Sequence, residues 1–391
     1  MRQTQISNED REKIHQLREL VKDNLMEYYD TDFNFLRWLQ GHGEQPIEKI
    51  ADKLNVHLKA RSSLVKLEEL PEHMKEYPVY QYWPFGLTDL SKTIDNCLIN
   101  VESVGLTDFW AVMQSYSLTE ILKSRISYLE ELFKRVMELE KQTKRQAWVI
   151  FILDLSHLKY NKHLYHLIVG PLKSLSEFMA DHYVELVKYF VIVNAPAIFS
   201  ALWYTASPIL PERTKEKIRI LGSNWRKEIL KYAVPESLPS SWNLEHENFY
   251  RFCLPTPLKL TENDYYNKKA GAPDGSKTLS VNAGKFSFLT AKLNSGDTLH
   301  WWLMADGSFG FGIFKTDDEN NEDITTMKWA YPHLGEMPGP LWVPIDEQLT
   351  IKEAGIYKIY FSNLKAWWHT LTVTYRISIT PADDANATTL L

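Results

Sequence analysis

The residues of this chain best suited to chemistry are few, and their spacing does not suit it. His163-x-x-His166 would put two imidazoles on one helix face, with His157 close by. That is half of a zinc site, and no third ligand follows at a matching helical spacing, so the histidines read as structural. Cys97 and Cys253 lie far apart, form no metal-binding spacing and read as reduced thiols. No Gly-x-Ser-x-Gly elbow occurs. Gly310-Phe-Gly312 is too short for a dinucleotide or phosphate loop. The acidic run Asp317-Asp-Glu-Asn-Asn-Glu-Asp323 lacks the glycine and closing glutamate of a calcium loop and reads as a solvated hairpin loop. No pair of carboxylates is singled out as an acid–base couple. The expectation is a protein that is not an enzyme and holds no metal or cofactor.

What stands out instead is an absence of charge. Between Lys188 and Glu212 lie 23 residues with no formal charge, in a chain that is 24% charged. Such a run needs a bilayer, a protein core or a bound lipid around it. About 20 apolar residues would span a membrane. However, Asn194-Ala-Pro196 interrupts the run, and Pro208 and Pro211 end it. Residues 189–193, Tyr-Phe-Val-Ile-Val, have strand preference. The reading is therefore strand, tight turn, then a helix of about three turns. That helix, with Ile198, Phe199, Leu202, Trp203 and Tyr204, is apolar around its whole circumference. It is either a fully buried core helix or a lid over a lipid cavity. The basic cluster behind it, Arg213 to Arg219 and then Trp225-Arg226-Lys227, suits an anionic membrane surface. By its charges alone it is an ordinary solvated face.

The elements that would position these residues follow from periodicity. Ser7, Thr31 with its flanking aspartates, and Pro46 open three amphipathic helices between residues 7 and 67. Short apolar runs at 97–101, 147–153 and 189–193 read as buried strands. A helix at 118–141, opened by the capping box Ser117-Leu-Thr-Glu120, separates the first two strands, and another at 163–181 separates the next two. That alternation predicts βαβ units and a mainly parallel sheet. Pro, Gly, Lys and Asn crowd 255–278, and beyond them the period becomes two. Leu371, Val373, Tyr375, Ile377 and Ile379 share one face of a strand, with further strands at 299–304, 309–314 and 356–361, so the last hundred or so residues read as a β-sandwich. Trp301-Trp302 and Trp367-Trp368 are expected to expose one ring per pair, since strand neighbours face opposite sides. The net charge of −6 gives no reason to expect a nucleic-acid partner, and the N-terminus shows no apolar leader, which suggests the cytoplasm.

Taken together, Phe190-Val-Ile-Val-Asn-Ala-Pro196, Phe199, Pro208-Ile-Leu210, Lys217-Ile-Arg-Ile-Leu-Gly222, Leu230-Lys231 and Pro235-Glu-Ser-Leu-Pro239 resemble the CRAL-TRIO (Sec14-like) lipid-binding domain. Asp32-Phe-Asn-Phe-Leu-Arg-Trp-Leu39 resembles its N-terminal helical part, and Asp154-Leu155 the end of its central strand. Trp302, Asp306-Gly307, Gly310-Phe-Gly-Ile-Phe314, Glu353-Ala-Gly-Ile-Tyr357 and Phe361-Ser-Asn363 resemble a GOLD domain. The order of the two is similar to animal Sec14-like proteins of the supernatant protein factor or tocopherol-associated type. The resemblance implies a helical subdomain at 1–75, a lipid-binding domain at 76–247, a linker at 248–278, a GOLD β-sandwich at 279–381 and a disordered tail at 382–391.

The same resemblance implies one hydrophobic lipid ligand, exchanged at a transient membrane surface, Golgi included, and a protein partner for the GOLD domain. Pocket positions by analogy are Val149, Phe151, Leu153, Phe190, Ile192, Phe199, Leu202 and Trp203, with a gate helix at about 197–207. Glu185 and Lys217 match headgroup positions of inositol-lipid carriers, but Leu186 and His42-Gly43 stand where further basic residues are usual. Val149 and Phe151 replace strand hydroxyls, and Ser240-Ser-Trp-Asn243 replaces a Gly-Gly. A phosphate needs several strong donors. The departures therefore shift the expected ligand toward lipids with little headgroup, such as a sterol precursor, a tocopherol-like molecule or an acyl chain.

Overall fold

A computed structural model describes residues 6–158, 163–197, 199, 203–204, 207–210, 212–383 and 387–391. Three helices come first: α1 (Asn8–Val21), α2 (Asp32–His42) and α3 (Ile47–Arg61). Ser7 Oγ accepts from Asp10 N at 3.0 Å and Thr31 Oγ1 from Asn34 N at 3.2 Å, so both N-termini have side-chain caps. α3 has no side-chain cap: Pro46, which stands at the N-cap position before its first turn, offers no side-chain acceptor.

The first sheet runs β1 (Gly86–Leu87), β2 (Cys97–Glu102), β3 (Trp148–Asp154), β4 (Val187–Val193) and β5 (Ile218–Ile220) in spatial order. β1 is antiparallel to β2, and the other pairs are parallel. The long helix Leu118–Thr143 links β2 to β3, with both capping-box bonds formed between Ser117 and Glu120. The helical stretch between β3 and β4 is interrupted. It runs Leu164–Leu167, widens through Ile168–Leu172 with Gly170 non-helical, then resumes as Lys173–His182. Pro171 explains the break: it cannot donate to the turn before it, and its ring crowds that carbonyl. Helices cover one face of the sheet. On the other, Ile229, Ala233, Leu238 and Tyr250 pack on Cys97, Ile99, Val101 and the even-numbered residues of β3.

The C-terminal domain is two stacked antiparallel sheets. One has the order β10 (Lys328–Tyr331), β9 (Phe309–Thr316), β13 (Gly355–Ser362), β7 (Phe286–Leu293), with β11 (Glu336–Met337) beside β9. The other has β12 (Ile345–Thr350), β8 (Thr298–Ala305), β14 (Leu371–Thr380), β15 (Thr389–Leu390), with β6 (Lys277–Val281) beside β14. The segment joining the domains is docked rather than loose: Tyr250 is buried, Leu258 N bonds Gln81 O at 2.9 Å, and Tyr266 N bonds Gln114 O at 2.8 Å.

Three expectations fail here. Trp301 and Trp302 are both buried, at 1% and 6% exposure. β8 is a central strand, so even its outward Trp302 lies between Asp346 and Arg376 of its neighbours. Trp367 and Trp368 are both open to solvent, at 91% and 89%. They sit in the loop between β13 and β14, where strand alternation does not apply. The tail from 382 is not wholly disordered, because Thr389–Leu390 pairs with Ser378–Ile379 on the free end of β14.

Among the described residues, three groups of polar contacts tie the sandwich to the helical layer. Ser63 Oγ and Leu64 N both bond Trp329 O, at 3.0 and 2.9 Å. Glu347 accepts from Thr119 Oγ1 at 2.5 Å and pairs with Lys123. Ser174 Oγ bonds Glu336 O at 3.0 Å, and Lys365 bridges Glu177 and Glu336 at 3.3 and 3.2 Å. Between the first and third of these groups, His57 and His182 meet through their Nδ1 atoms at 3.0 Å, with Trp329 against His182. Burial pushes the His182 imidazole down to about 3, with Arg61 and His333 adding to the effect. Burial, then His182, holds His57 well below its usual value. Both rings stay neutral in the fold yet protonate in the unfolded chain below about pH 6.5. The unfolded state then binds more protons, so stability is full above that pH and falls as the pH drops toward 3. Two such groups should lower unfolding free energy by about 2–3 kcal/mol between pH 7 and 5.5. Urea denaturation across that window should show this loss, and His182→Gln should flatten the slope.

Candidate functional site

Strand register sets the floor of the site. Asn100, Phe151, Phe190 and Ile218 form one cross-strand row, and Glu102, Leu153, Ile192 and Ile220 the next. The β3–β4 register shifts after Val149, which pairs with Val187, while Ile150 pairs with Tyr189. The extra residue, Lys188, is a bulge that brings Phe190 and Ile192 onto the same face as Phe151 and Leu153. Above this face lies a cavity of about 530 Å³, walled by Leu167, Leu172, Leu175 and Met179 from the interrupted helix. The size suits one small hydrophobic molecule.

Of the positions expected in the pocket, Phe151, Leu153, Phe190, Ile192, Phe199 and Trp203 line this cavity. The Phe199 and Trp203 rings stack with centroids 6.4 Å apart. Val149 does not line it. It shares the face of Phe151 but sits at the start of β3, fully buried in the core beneath the helices. Leu202 lies outside the described residues, as does much of the expected gate helix. The turn before that segment is anchored: Asn194 adopts a left-handed backbone (φ 54°), and its Nδ2 bonds Asp154 Oδ1 at 2.9 Å. Trp242 Nε1 bonds the other Asp154 oxygen at 2.8 Å, which occupies the tryptophan found where Gly-Gly is usual.

Glu185 and Lys217 both line the cavity and pair with each other at 3.1 Å. Arg213 joins them, with Nη2 3.3 Å from the other Glu185 oxygen. The same guanidinium donates to Gln40 O at 2.5 Å and to Gly41 O, carbonyls in the last turn of α2. A cation there satisfies carbonyls that lack helical partners and complements the helix dipole. The sequence had placed Arg213 in a solvated basic cluster. Nothing in its local spacing marks a contact made across 172 residues. His42 also lines the cavity, stacked on Trp38. Burial, then Lys53, lowers its pKa, so it adds no firm positive charge. At the far corner the lining includes Trp83, Glu102, Arg125 and Tyr128, none of which the sequence pattern singled out.

His163 and His166 pack as aromatic rings around Trp110 and Trp342. Among the described residues no group of His, Cys, Asp and Glu is arranged to hold a metal, and no helix is long and apolar enough to cross a membrane.

The cavity distinguishes positions on one strand. Leu153→Trp should extend into open volume and keep stability within about 1 kcal/mol of the parent, whereas Val149→Phe overpacks a filled core and should cost about 1–3 kcal/mol. Leu153→Trp should also weaken uptake of the fluorescent hydrocarbon diphenylhexatriene at least several-fold. Denaturation curves and fluorescence titration check both outcomes.

Comparison with known proteins is consistent across the chain. Residues 97–243 match the CRAL/TRIO domain, residues 265–388 an F28H7_8_C-like C-terminal domain, and residues 6–70 a domain of unknown function, DUF8435. The CRAL-TRIO domain-containing protein F28H7.8 of Caenorhabditis elegans is 30% identical over 389 residues, 96% of this chain and 91% of that one. Protein ctg-1 of the same organism is 23% identical, covering 95% of this chain and 96% of its own. Among solved structures, Sfh5 superposes with a TM-score of 0.45 at 12% identity, over 59% of this chain and 86% of that chain.

Proposed function

This chain belongs to the CRAL-TRIO family of lipid-binding and lipid-transfer proteins, and on that premise we propose that it carries one hydrophobic molecule in the cavity above β2–β5. The observation that carries the reading is the match between the cavity and the uncharged run. β4 contributes Phe190 and Ile192 to the floor, and Phe199, Trp203 and Leu210 line the same space. In this reading residues 197–207 are the gate. They cover the ligand when closed and meet a bilayer surface when open. Each buried methylene of the ligand contributes about 0.8 kcal/mol, so affinity needs no large polar clamp. The protein works in the cytoplasm and touches membranes transiently. It performs no covalent step and needs no cofactor beyond the bound lipid.

The mouth cluster bears on the ligand class. Glu185 is matched by Lys217 and Arg213, so its charge is compensated within the protein. These contacts tie residues 212–217 to α2 at one edge of the cavity, and a phosphate would have to displace that arrangement. A ligand with little headgroup, sterol-, tocopherol- or acyl-like, fits better. Native mass spectrometry of the purified chain should show one lipid per protein, and vesicle assays should show its transfer. Protein that carries no lipid and moves none refutes the reading.

A second reading rests on Trp367 and Trp368. Two tryptophans this exposed on one loop of a GOLD-type sandwich suit a protein partner, making the chain an adaptor at Golgi or other membranes with lipid as its regulator. Trp367→Ser/Trp368→Ser separates the two readings. A carrier should keep its vesicle-to-vesicle transfer rate, while an adaptor should lose its membrane address in cells.

A further inference from the structure

Arg125 lies on the long helix and reaches the end of β2 where Glu102 sits. Its Nη2 bonds both Glu102 oxygens, at 2.8 and 2.9 Å. The same carboxylate accepts from Asn100 Nδ2 at 3.0 Å and Trp83 Nε1 at 3.1 Å. Glu102 is thus filled by four N–H contacts. The Arg125 guanidinium lies 4.2 Å from the ring centroids of both Trp83 and Phe85, which fixes its plane. The side chain is 7% exposed, and its Nη1 is buried with no hydrogen-bond partner among the described residues. A buried N–H on a cation is costly to leave unbonded. Arg125, Glu102, Trp83 and Tyr128 all line the cavity.

We infer that Arg125 Nη1 donates a hydrogen bond to an oxygen at the buried end of the ligand, and that this oxygen is neutral: a hydroxyl, an ester carbonyl or a ketone. The inference rests on the lipid-carrier reading of the cavity and goes beyond it by naming the chemistry at one end. Neutrality follows from Glu102. Arg125 is already charge-compensated, so a carboxylate would bring a second anion beside Glu102 in an apolar enclosure, where like charges repel strongly. A neutral acceptor satisfies Nη1 and leaves the net charge at zero. Glu102 ends β2, whereas Glu185 precedes β4 by two residues, so the two polar groups occupy opposite corners of the sheet. Strand rise and spacing put them on the order of 20 Å apart. The ligand therefore lies with its oxygen at the Arg125 corner and its apolar remainder toward Phe190 and the gate.

The test uses the full chain, stripped of endogenous lipid and loaded with diphenylhexatriene, a hydrocarbon without oxygen. Octadecane, octadecan-1-ol, methyl stearate and stearic acid at pH 8 then compete for the site. Octadecan-1-ol and methyl stearate should compete about 10- to 100-fold better than octadecane, the value of one hydrogen bond to a charged donor. Stearate should be weaker than the alcohol. In Arg125→Lys, which keeps the charge beside Glu102 but lacks Nη1, the alcohol-to-alkane ratio should fall toward one. Glu102→Gln/Arg125→Met, which buries no lone charge, should do the same. Equal competition by octadecane and octadecanol, a preference for stearate, or an unchanged ratio in both variants overturns the Arg125 assignment alone. A wild-type chain that takes up no diphenylhexatriene, or releases it to none of the four, overturns the carrier reading and this inference with it.

Discussion

The Arg61–Glu130 pair is buried almost completely, with 1% and 2% of the two side chains exposed, and the arrangement of the cavity depends on it. Nη1 and Nη2 each meet one carboxylate oxygen, at 2.8 and 2.7 Å. Arg61 Nε bonds Tyr28 OH at 2.9 Å, and Tyr183 OH donates to Glu130 at 2.7 Å. Removing two ions from water costs several kcal/mol each, and only full hydrogen bonding offsets it. The pair is therefore intolerant of displacement. It fixes α3, the long helix and the residue that ends Lys173–His182 in one geometry. A second clamp works alongside it: Arg37 Nη2 reaches Glu140 at 2.5 Å and Ala147 O at 2.8 Å, while Ala147 N donates to Glu140 at 2.8 Å. That ties α2 to the entry of β3.

These ties explain how an apolar sheet face keeps open volume above it. Left to packing alone, helices would settle onto Phe151, Leu153, Phe190 and Ile192, because interiors close to crystal-like density. The helix that would settle, Lys173–His182, is instead held from outside at both ends. Tyr183 hangs it from Glu130, and the sandwich holds its start through Ser174 and its flank through Lys365 and Glu177. The C-terminal domain thus braces the cavity wall, whatever else it does. The break at Gly170-Pro171 gives the same wall a bend where it leaves the sheet.

Much of this was legible in the sequence, for a physical reason: periodicity and capping are local. The three parallel strands, the Ser117–Glu120 box, the three N-terminal helices and the alternating β14 all follow from neighbours within a few residues. The lining residues of β3 and β4 are what the family resemblance implies, except that Val149 lies too near the strand start to reach the cavity. What was not legible is long-range. Arg213 with Gly41, Arg125 with Glu102 and Thr119 with Glu347 have no local signal, because each depends on where distant segments meet. The Trp pairs mislead for a related reason. Alternation says which way a ring points, but not whether another layer covers it or whether the strand has ended. Pro171 breaks the helical pattern at 163–181, because it removes a donor and crowds the turn before it.

The uncharged run 189–211 lies against this background of paired charge. Its strand part supplies the cavity floor, and the charged groups that line the cavity are gathered at two corners and held there in ion pairs. At one corner a single carboxylate holds Lys217 and Arg213; at the other, four N–H contacts fill Glu102. Between them the walls offer a ligand apolar contact and little else. Selection must then come from length, shape and the few donors left over. A phosphate would need several strong donors. At the Arg125 corner the guanidinium N–H left without a partner among the described residues suits the single oxygen proposed above and falls short of what a phosphate needs.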